Sequence, residues 1–202
     1  MTTFDEKWWE TRYAGHHGPA AHGPSPYLLE VVADAVPGRA LDAGCGEGAD
    51  AVWLAERGWK VTAVDISSSA LARAGALAED AGVRVDWEVA DLTTWEPPGG
   101  FDLVSSHYVH TRGTATDLVP RLAAAVAPRG TLLVVGHSSS DAHSSEHAPE
   151  HVGTSAAGLA EALDPVGWDV VEAGLRRRTV RVRGRELELD DEVLLARRRV
   201  DG

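Results

Sequence analysis

The stretch Leu41-Asp42-Ala43-Gly44-Cys45-Gly46-Glu47-Gly48 decides how this chain folds. The residues before it, Arg39–Ala43, read as a short strand, and Gly48–Arg57 reads as a helix closed by Gly58. The glycines between them let a ligand lie against bare backbone, where a Cβ would collide. In a parallel sheet, ligands sit beyond the carboxyl ends of the strands, and this turn leaves such an end.

Working outward, strands and helices alternate. Lys60–Val64 reads as a strand, Ser68–Ala81 as a helix closed by Gly82, and Val83–Val89 as a third strand. Phe101–Ser106 is an apolar strand, Thr114–Val126 a helix ended near Pro128, and Thr131–Gly136 a buried strand. Upstream, Ser25 and Pro26 open a helix that Pro37-Gly38 stops. Downstream, a polar loop runs from His137 to His151, and Thr154 or Ser155 caps a helix through Leu163. Gly167–Leu175 reads as a strand. Val180/Val182 and Leu187/Leu189 alternate with charges around Gly184, which predicts a hairpin, and Glu192–Arg199 is a last strand. Alternation at this spacing predicts an α/β fold, a mostly parallel sheet with helices on both faces. The chain has 202 residues and no long linker, so one domain, 25–202, is expected behind an N-terminal segment, 1–24.

Two further strand ends carry acids. Asp65 ends the second strand, about 20 residues past the glycine turn, where a carboxylate accepts from both ribose hydroxyls of a nucleoside. Asp91 ends the third, where it can accept from an adenine amino group. The glycine run alone fits either a nicotinamide dinucleotide or S-adenosylmethionine. Three features tilt toward the second: Asp42 precedes the glycines, Asp91 recurs at the third strand end, and no Tyr has a Lys four residues later, as a reductase would use.

With these motifs in order, Pro26 to Gly136 resembles the class I S-adenosylmethionine-dependent methyltransferases. The resemblance implies a Rossmann-like seven-stranded sheet ending in an antiparallel hairpin, with S-adenosyl-L-methionine as cofactor. It implies that Asp42, Gly44 and Gly46 line the methionine end, with Cys45 a small packing residue in the turn. Asp65 would bind the ribose diol, Ile66 would pack on adenine, and Asp91 and Leu92 would meet the adenine edge. Ser105-Ser106-His107 would offer backbone near the cofactor's amino group, with Ser106 at its centre. The opening Trp8-Trp9-Glu10-Thr11-Arg12-Tyr13 resembles the thiol, halide and tellurite methyltransferase subgroup. There this segment closes over the cofactor, which would place Trp9, Arg12 and Tyr13 at the site. The plain alternative is an aromatic cluster capping the core.

His107 and His110 follow the fourth strand and are candidate general bases or acceptor contacts, set against a role as pocket-wall histidines. His143, His147 and His151 recur every four residues, but Ser, Asp and Pro149 around them argue for a loop, so no metal site is expected. Arg176-Arg177-Arg178 reads as a solvated strand face.

The formal net charge is −12, a poor match for a polyanion, so a small-molecule acceptor is expected rather than nucleic acid. The Asn/Asp-Pro-Pro-aromatic motif of amino-group methyltransferases is missing, since Glu96-Pro97-Pro98-Gly99 is neither that sequence nor in its place. No apolar run reaches membrane-span length, the N-terminus lacks a secretory pattern and Cys45 is the one cysteine, so a cytoplasmic protein without a membrane partner is expected. The expected reaction is methyl transfer to a thiol, chalcogen or hydroxyl. The alternatives are a non-catalytic nucleoside- or metal-binding protein on the same fold and, third, an NAD(P)-dependent reductase.

Overall fold

The computed structural model describes residues 4–15, 23–111, 113–138, 155–182 and 185–200. In chain order the elements are α1 (Glu6–Ala14), α2 (Pro26–Val32), β1 (Arg39–Ala43), α3 (Ala49–Glu56), β2 (Lys60–Asp65), α4 (Ser68–Ala81) and β3 (Asp86–Val89). Then follow β4 (Phe101–His107), α5 (Ala115–Ala125), β5 (Val126–His137), α6 (Ala156–Glu161), β6 (Trp168–Val182) and β7 (Arg185–Arg198).

One seven-stranded sheet runs in the order β3-β2-β1-β4-β5-β7-β6. β1 to β5 are parallel, and β7 enters antiparallel between β5 and β6. The strand order reverses at β1, which pairs with β2 on one side and β4 on the other. That switch point opens a crevice at the carboxyl ends of the strands.

Both faces of the sheet are buried, which is why its strands read as apolar runs. Along β5, Leu132 and Val134 point into a core under α5 and α6, while Leu133 and Val135 point into a second core under α2 and α3. Helix ends follow local chemistry. Ser67 caps α4 by accepting from the Ala70 N–H, and Thr114 with Asp117 forms a reciprocal capping box on α5.

Three expectations change. The third strand starts at Asp86 rather than Val83, because the Val83 N–H closes α4 by donating to the Ala78 carbonyl. The fifth strand starts at Val126, directly out of α5, and reaches Phe101 through a register shift. The three C-terminal pieces are two continuous strands, β6 and β7, because Arg176 and Arg177 sit opposite Asp191 and Asp190 and carry the ladder through. The proposed turn residue Gly184, the histidines 16, 17, 22, 143, 147 and 151, and Thr154 lie outside the described residues; Ser155 caps α6.

Leu133, 1% exposed at the centre of β5, tests the packing. Leu133→Ala should cost about 2–5 kcal/mol of stability. In urea unfolding this appears as a lower midpoint at unchanged slope.

Candidate active site

The glycine turn is built by the end of β2. The Val64 carbonyl accepts from the N–H groups of both Gly44 (2.8 Å) and Cys45 (3.0 Å). Gly44 adopts φ +80°, and a Cβ there would lie 2.2 Å from a Val109 methyl carbon. Gly48, at φ +81°, begins α3 where a Cβ would press on Ala74 and Trp87. These two positions require glycine for conformation and for space.

Asp65 completes the knot. Its Oδ2 accepts from the Gly46 N–H (2.8 Å), and its Oδ1 from the Ser67 N–H (2.9 Å). Burial pushes its carboxyl above the usual range, against the pull of these backbone donors. Each oxygen keeps lone-pair capacity for a further donor. Asp91 turns one oxygen to the Thr93 N–H (2.9 Å) and hydroxyl (2.6 Å).

A cleft of about 320 Å³ opens at the switch point. Gly44, Cys45 and Gly46 form one wall, and Asp65, Ile66, Asp91 and Leu92 form another. Residues 107–111, at and after the end of β4, close the far end, and Phe4, Trp9 and Tyr13 close it from the N-terminal segment. Of the expected site residues, Arg12, Asp42 and Ser106 do not line this cleft. Arg12 is exposed and lies over the Trp8 ring at 5.5 Å. Ser106 is buried and borders a smaller hollow behind His110. Asp42 is buried behind the turn with Oδ2 unpartnered, and burial followed by the Asp50 and Asp65 charges pushes its carboxyl well up. Burial raises the Cys45 thiol as well, keeping it protonated.

The two expected histidines differ in setting. His107 Nδ1 contacts Asp50 Oδ2 at 2.6 Å, and its Nε2 is buried without a hydrogen-bond partner. Asp50 also accepts from the Ser25 N–H at 2.6 Å, tying the start of α2 to this point. His110 lines the cleft with its ring nearly parallel to Trp9, and its carbonyl accepts from Trp9 Nε1 at 3.4 Å.

Sequence reasoning missed how α1 is fastened. Glu10 accepts from the Ser67 hydroxyl and from both the N–H and hydroxyl of Ser69, at the start of α4. Arg73 of α4 donates to the Tyr13 carbonyl (2.9 Å) and pairs with Glu47 (2.7 Å). Glu10 stood inside the quoted opening motif, but only tertiary contact shows its target. Tyr108, Asp50 and Asp191 carried no local signal. The arginine run is also corrected: Arg177 is solvated beside Asp190, but Arg178 turns inward to buried Asp191, and Arg176 joins Glu172 and Glu30.

Residues 40–130 match the family model described as a methyltransferase domain. Over that stretch the chain is similar to methyltransferase domains. An uncharacterized methyltransferase of Mycobacterium tuberculosis is 46% identical over 98 residues, covering 47% of this chain and 48% of the relative. The chain thus spans about half the length of the curated relatives it matches. Among solved structures, one from the conversion of a disulfide bond into a thioacetal group during echinomycin biosynthesis aligns with a TM-score of 0.74 at 24% identity, covering 98% of this chain and 93% of that one. The N-methyltransferase NodS from Bradyrhizobium japonicum, in complex with S-adenosyl-L-homocysteine, aligns with a TM-score of 0.71 at 16% identity, covering 96% of this chain and 98% of that one. Both likenesses establish the fold.

Glu10 makes α1 docking pH-dependent. The Ser69 hydroxyl and N–H bonds, the two largest causes, hold its carboxyl at about 2, below the ordinary 4.5. A depressed carboxylate contributes stability above its unfolded value and loses it as pH falls through the folded one. The protection of α1 amides against exchange, relative to their intrinsic rates, should therefore fall between about pH 4.5 and 2 ahead of the sheet, and Glu10→Gln should show that lower α1 protection already at pH 7.

Proposed function

We propose that this protein transfers the sulfonium methyl group of S-adenosyl-L-methionine to a small-molecule nucleophile. The observation that carries this reading is the meeting of Gly44, Gly46, Asp65, Asp91 and Leu92 on one cleft at the switch point. The residues present fit the cofactor. Bare peptide at Gly44 and Gly46 leaves room for its methionine end, and the Asp65 oxygens can each take a ribose hydroxyl. Asp91 has an oxygen to spare for an adenine amino group, between the apolar walls Ile66 and Leu92.

When bound, the cofactor supplies an electrophilic methyl on a positively charged sulfur. The chain's own part is alignment and exclusion of water. Phe4, Trp9 and Tyr13 cover the cleft, held down by Glu10 and Arg73. Arg12 acts through the Trp8 stack that stiffens this helix. Buried Asp42, with Asp65 beside it, favours a cation behind the turn. Ser106 supports the end of β4, from which His107 and His110 reach the acceptor end. His110 contacts the acceptor, and His107, held by Asp50, fixes the backbone that presents it.

The acceptor is read as a thiol, chalcogen or hydroxyl compound. The Trp8–Tyr13 motif supports this, as does the fold neighbour from thioacetal formation. The aromatic wall of Trp9, Tyr108 and His110 suits a soft, apolar partner. The net charge of −12 speaks against nucleic acid.

Calorimetry tests the cofactor assignment. The wild type should bind S-adenosyl-L-methionine at sub-millimolar levels, and Asp65→Ala should weaken it about 100-fold, the loss of two charge-assisted hydrogen bonds. Wild-type conversion to S-adenosyl-L-homocysteine with a thiol and phenol panel tests turnover. Binding by Asp65→Ala equal to the wild type would remove the basis of the reading.

A further inference from the structure

Asp191 is a buried carboxylate that the cofactor cleft does not use. It sits on β7 opposite His137, the last residue of β5, and its side chain is fully excluded from solvent. Its Oδ2 accepts from the phenols of Tyr27 (2.9 Å) and Tyr108 (2.9 Å) and from the Arg178 guanidinium. Its Oδ1 has no hydrogen-bond partner and faces His137 Nδ1 at 3.6 Å. A carboxylate this deep is costly unless paired, so four residues from distant parts of the chain converge on it.

The same imidazole lies next to the cleft, in the hollow behind His110. The His137 ring stacks on Tyr108 with centroids 4.5 Å apart and lies 6.1 Å from the His110 ring. Tyr108 and His110 both line the cleft, and His137 and His110 share the hollow beside it. The His137 side chain is 25% exposed. Tyr108 enters with φ +53°, a left-handed conformation uncommon outside glycine. The Asp191 contact holds it there. Burial first, then the Asp191 charge, raises the Tyr108 phenol, so it stays a donor and is no base.

Resting on the methyltransferase reading above, we propose that His137 takes the proton of the methyl acceptor and that Asp191 is its positioning residue. A carboxylate opposite Nδ1 selects the tautomer protonated there and leaves the Nε2 lone pair for the acceptor. As the acceptor oxygen or sulfur bonds to the methyl carbon, the carbon–sulfonium bond breaks and its electron pair stays on that sulfur. The acceptor's proton passes to Nε2, and the new imidazolium rests against Asp191. The groups facing His137 are Asp191 from β7, Arg178 from β6, Tyr108 and His110 from the β4 end, and Tyr27 from α2 by way of Asp191. Arg178 disfavours the imidazolium but lies on the far oxygen; Asp191 faces it directly. His107 is less suited, since Asp50 holds its Nδ1 and its Nε2 is buried.

The test uses the full chain. By nuclear magnetic resonance, the His137 ring nitrogens should show the Nδ1-protonated tautomer in the wild type and lose that preference in Asp191→Asn. His137→Gln should keep the wild-type unfolding midpoint and bind S-adenosyl-L-methionine within about twofold of wild type. Its kcat/KM with a phenol acceptor should fall about 100-fold and lose the acidic limb of the pH profile. With a thiophenol already ionised at the assay pH, the loss should be several-fold smaller. An unchanged His137 tautomer in folded Asp191→Asn, or an intact acidic limb in His137→Gln, overturns the proposal. If Asp191→Asn does not fold, the His137→Gln profile decides. Absence of cofactor binding in the wild type would instead sink the methyltransferase reading, and this role with it; normal binding with an unchanged His137→Gln profile sinks this role alone.

Discussion

The end of β2 holds the site together. One backbone carbonyl, Val64, and one side chain, Asp65, supply the acceptors for the N–H groups of Gly44, Cys45, Gly46 and Ser67. Within the turn the Gly48 N–H bonds to the Cys45 carbonyl at 2.9 Å, while the N–H groups of Gly44, Cys45 and Gly46 need acceptors from outside it. Its form is imposed from the neighbouring strand. The same knot fixes where α4 begins, because Ser67 is both a donor to Asp65 and the cap of that helix. Glu10 then uses the α4 N-terminus as a dock for α1. Turn, carboxylate and covering helix are thus one mechanical chain, and none of them is positioned independently of the others.

The charge layout divides the ligand edge into two regions. Around the glycine turn, burial and then the Asp50 and Asp65 charges raise the proton affinity of Asp42, and a cation there relieves the repulsion. At the other end, Asp191 is surrounded by donors. Burial pushes its carboxyl up, but the facing His137 ring, the Arg178 guanidinium and the Tyr108 phenol outweigh this and hold it at about 2. The first region is short of positive charge and the second is balanced. Between them run the parallel rings of Tyr13, Trp9 and His110, a wall without formal charge when His110 is neutral.

The antiparallel hairpin joins these regions to the rest of the fold. β7 lies between β5 and β6, so its inward residues reach the ligand edge of a parallel sheet from the opposite chain direction. Asp191 arrives there beside His137 because the two are register partners. Arg178 arrives on β6 two positions from Arg176, the partner of Asp191 in the ladder. Trp9 of the covering segment and His137 at the end of β5 lie on either side of His110.

What the sequence determined by itself was everything carried by local periodicity and by glycine. The helix Ser68–Ala81 and the strand Arg39–Ala43 have the bounds their capping and apolar patterns indicate. The acids at the second and third strand ends, Asp65 and Asp91, line one cleft, because a parallel α/β chain returns each strand end to the same edge; Asp42, expected with them, lies buried behind the turn. Boundaries failed where a residue served a neighbour, as Val83 does in closing α4. What only the tertiary structure decided was which polar side chains face inward. Arg178 reads as solvated because its run is uniformly charged, yet the two-residue period of a strand turns it toward Asp191. Tyr27, Tyr108, His137 and Arg178 carry no common spacing. Their shared carboxylate exists only once the sheet is assembled, since a buried charge recruits partners by distance in space and leaves no trace in sequence order.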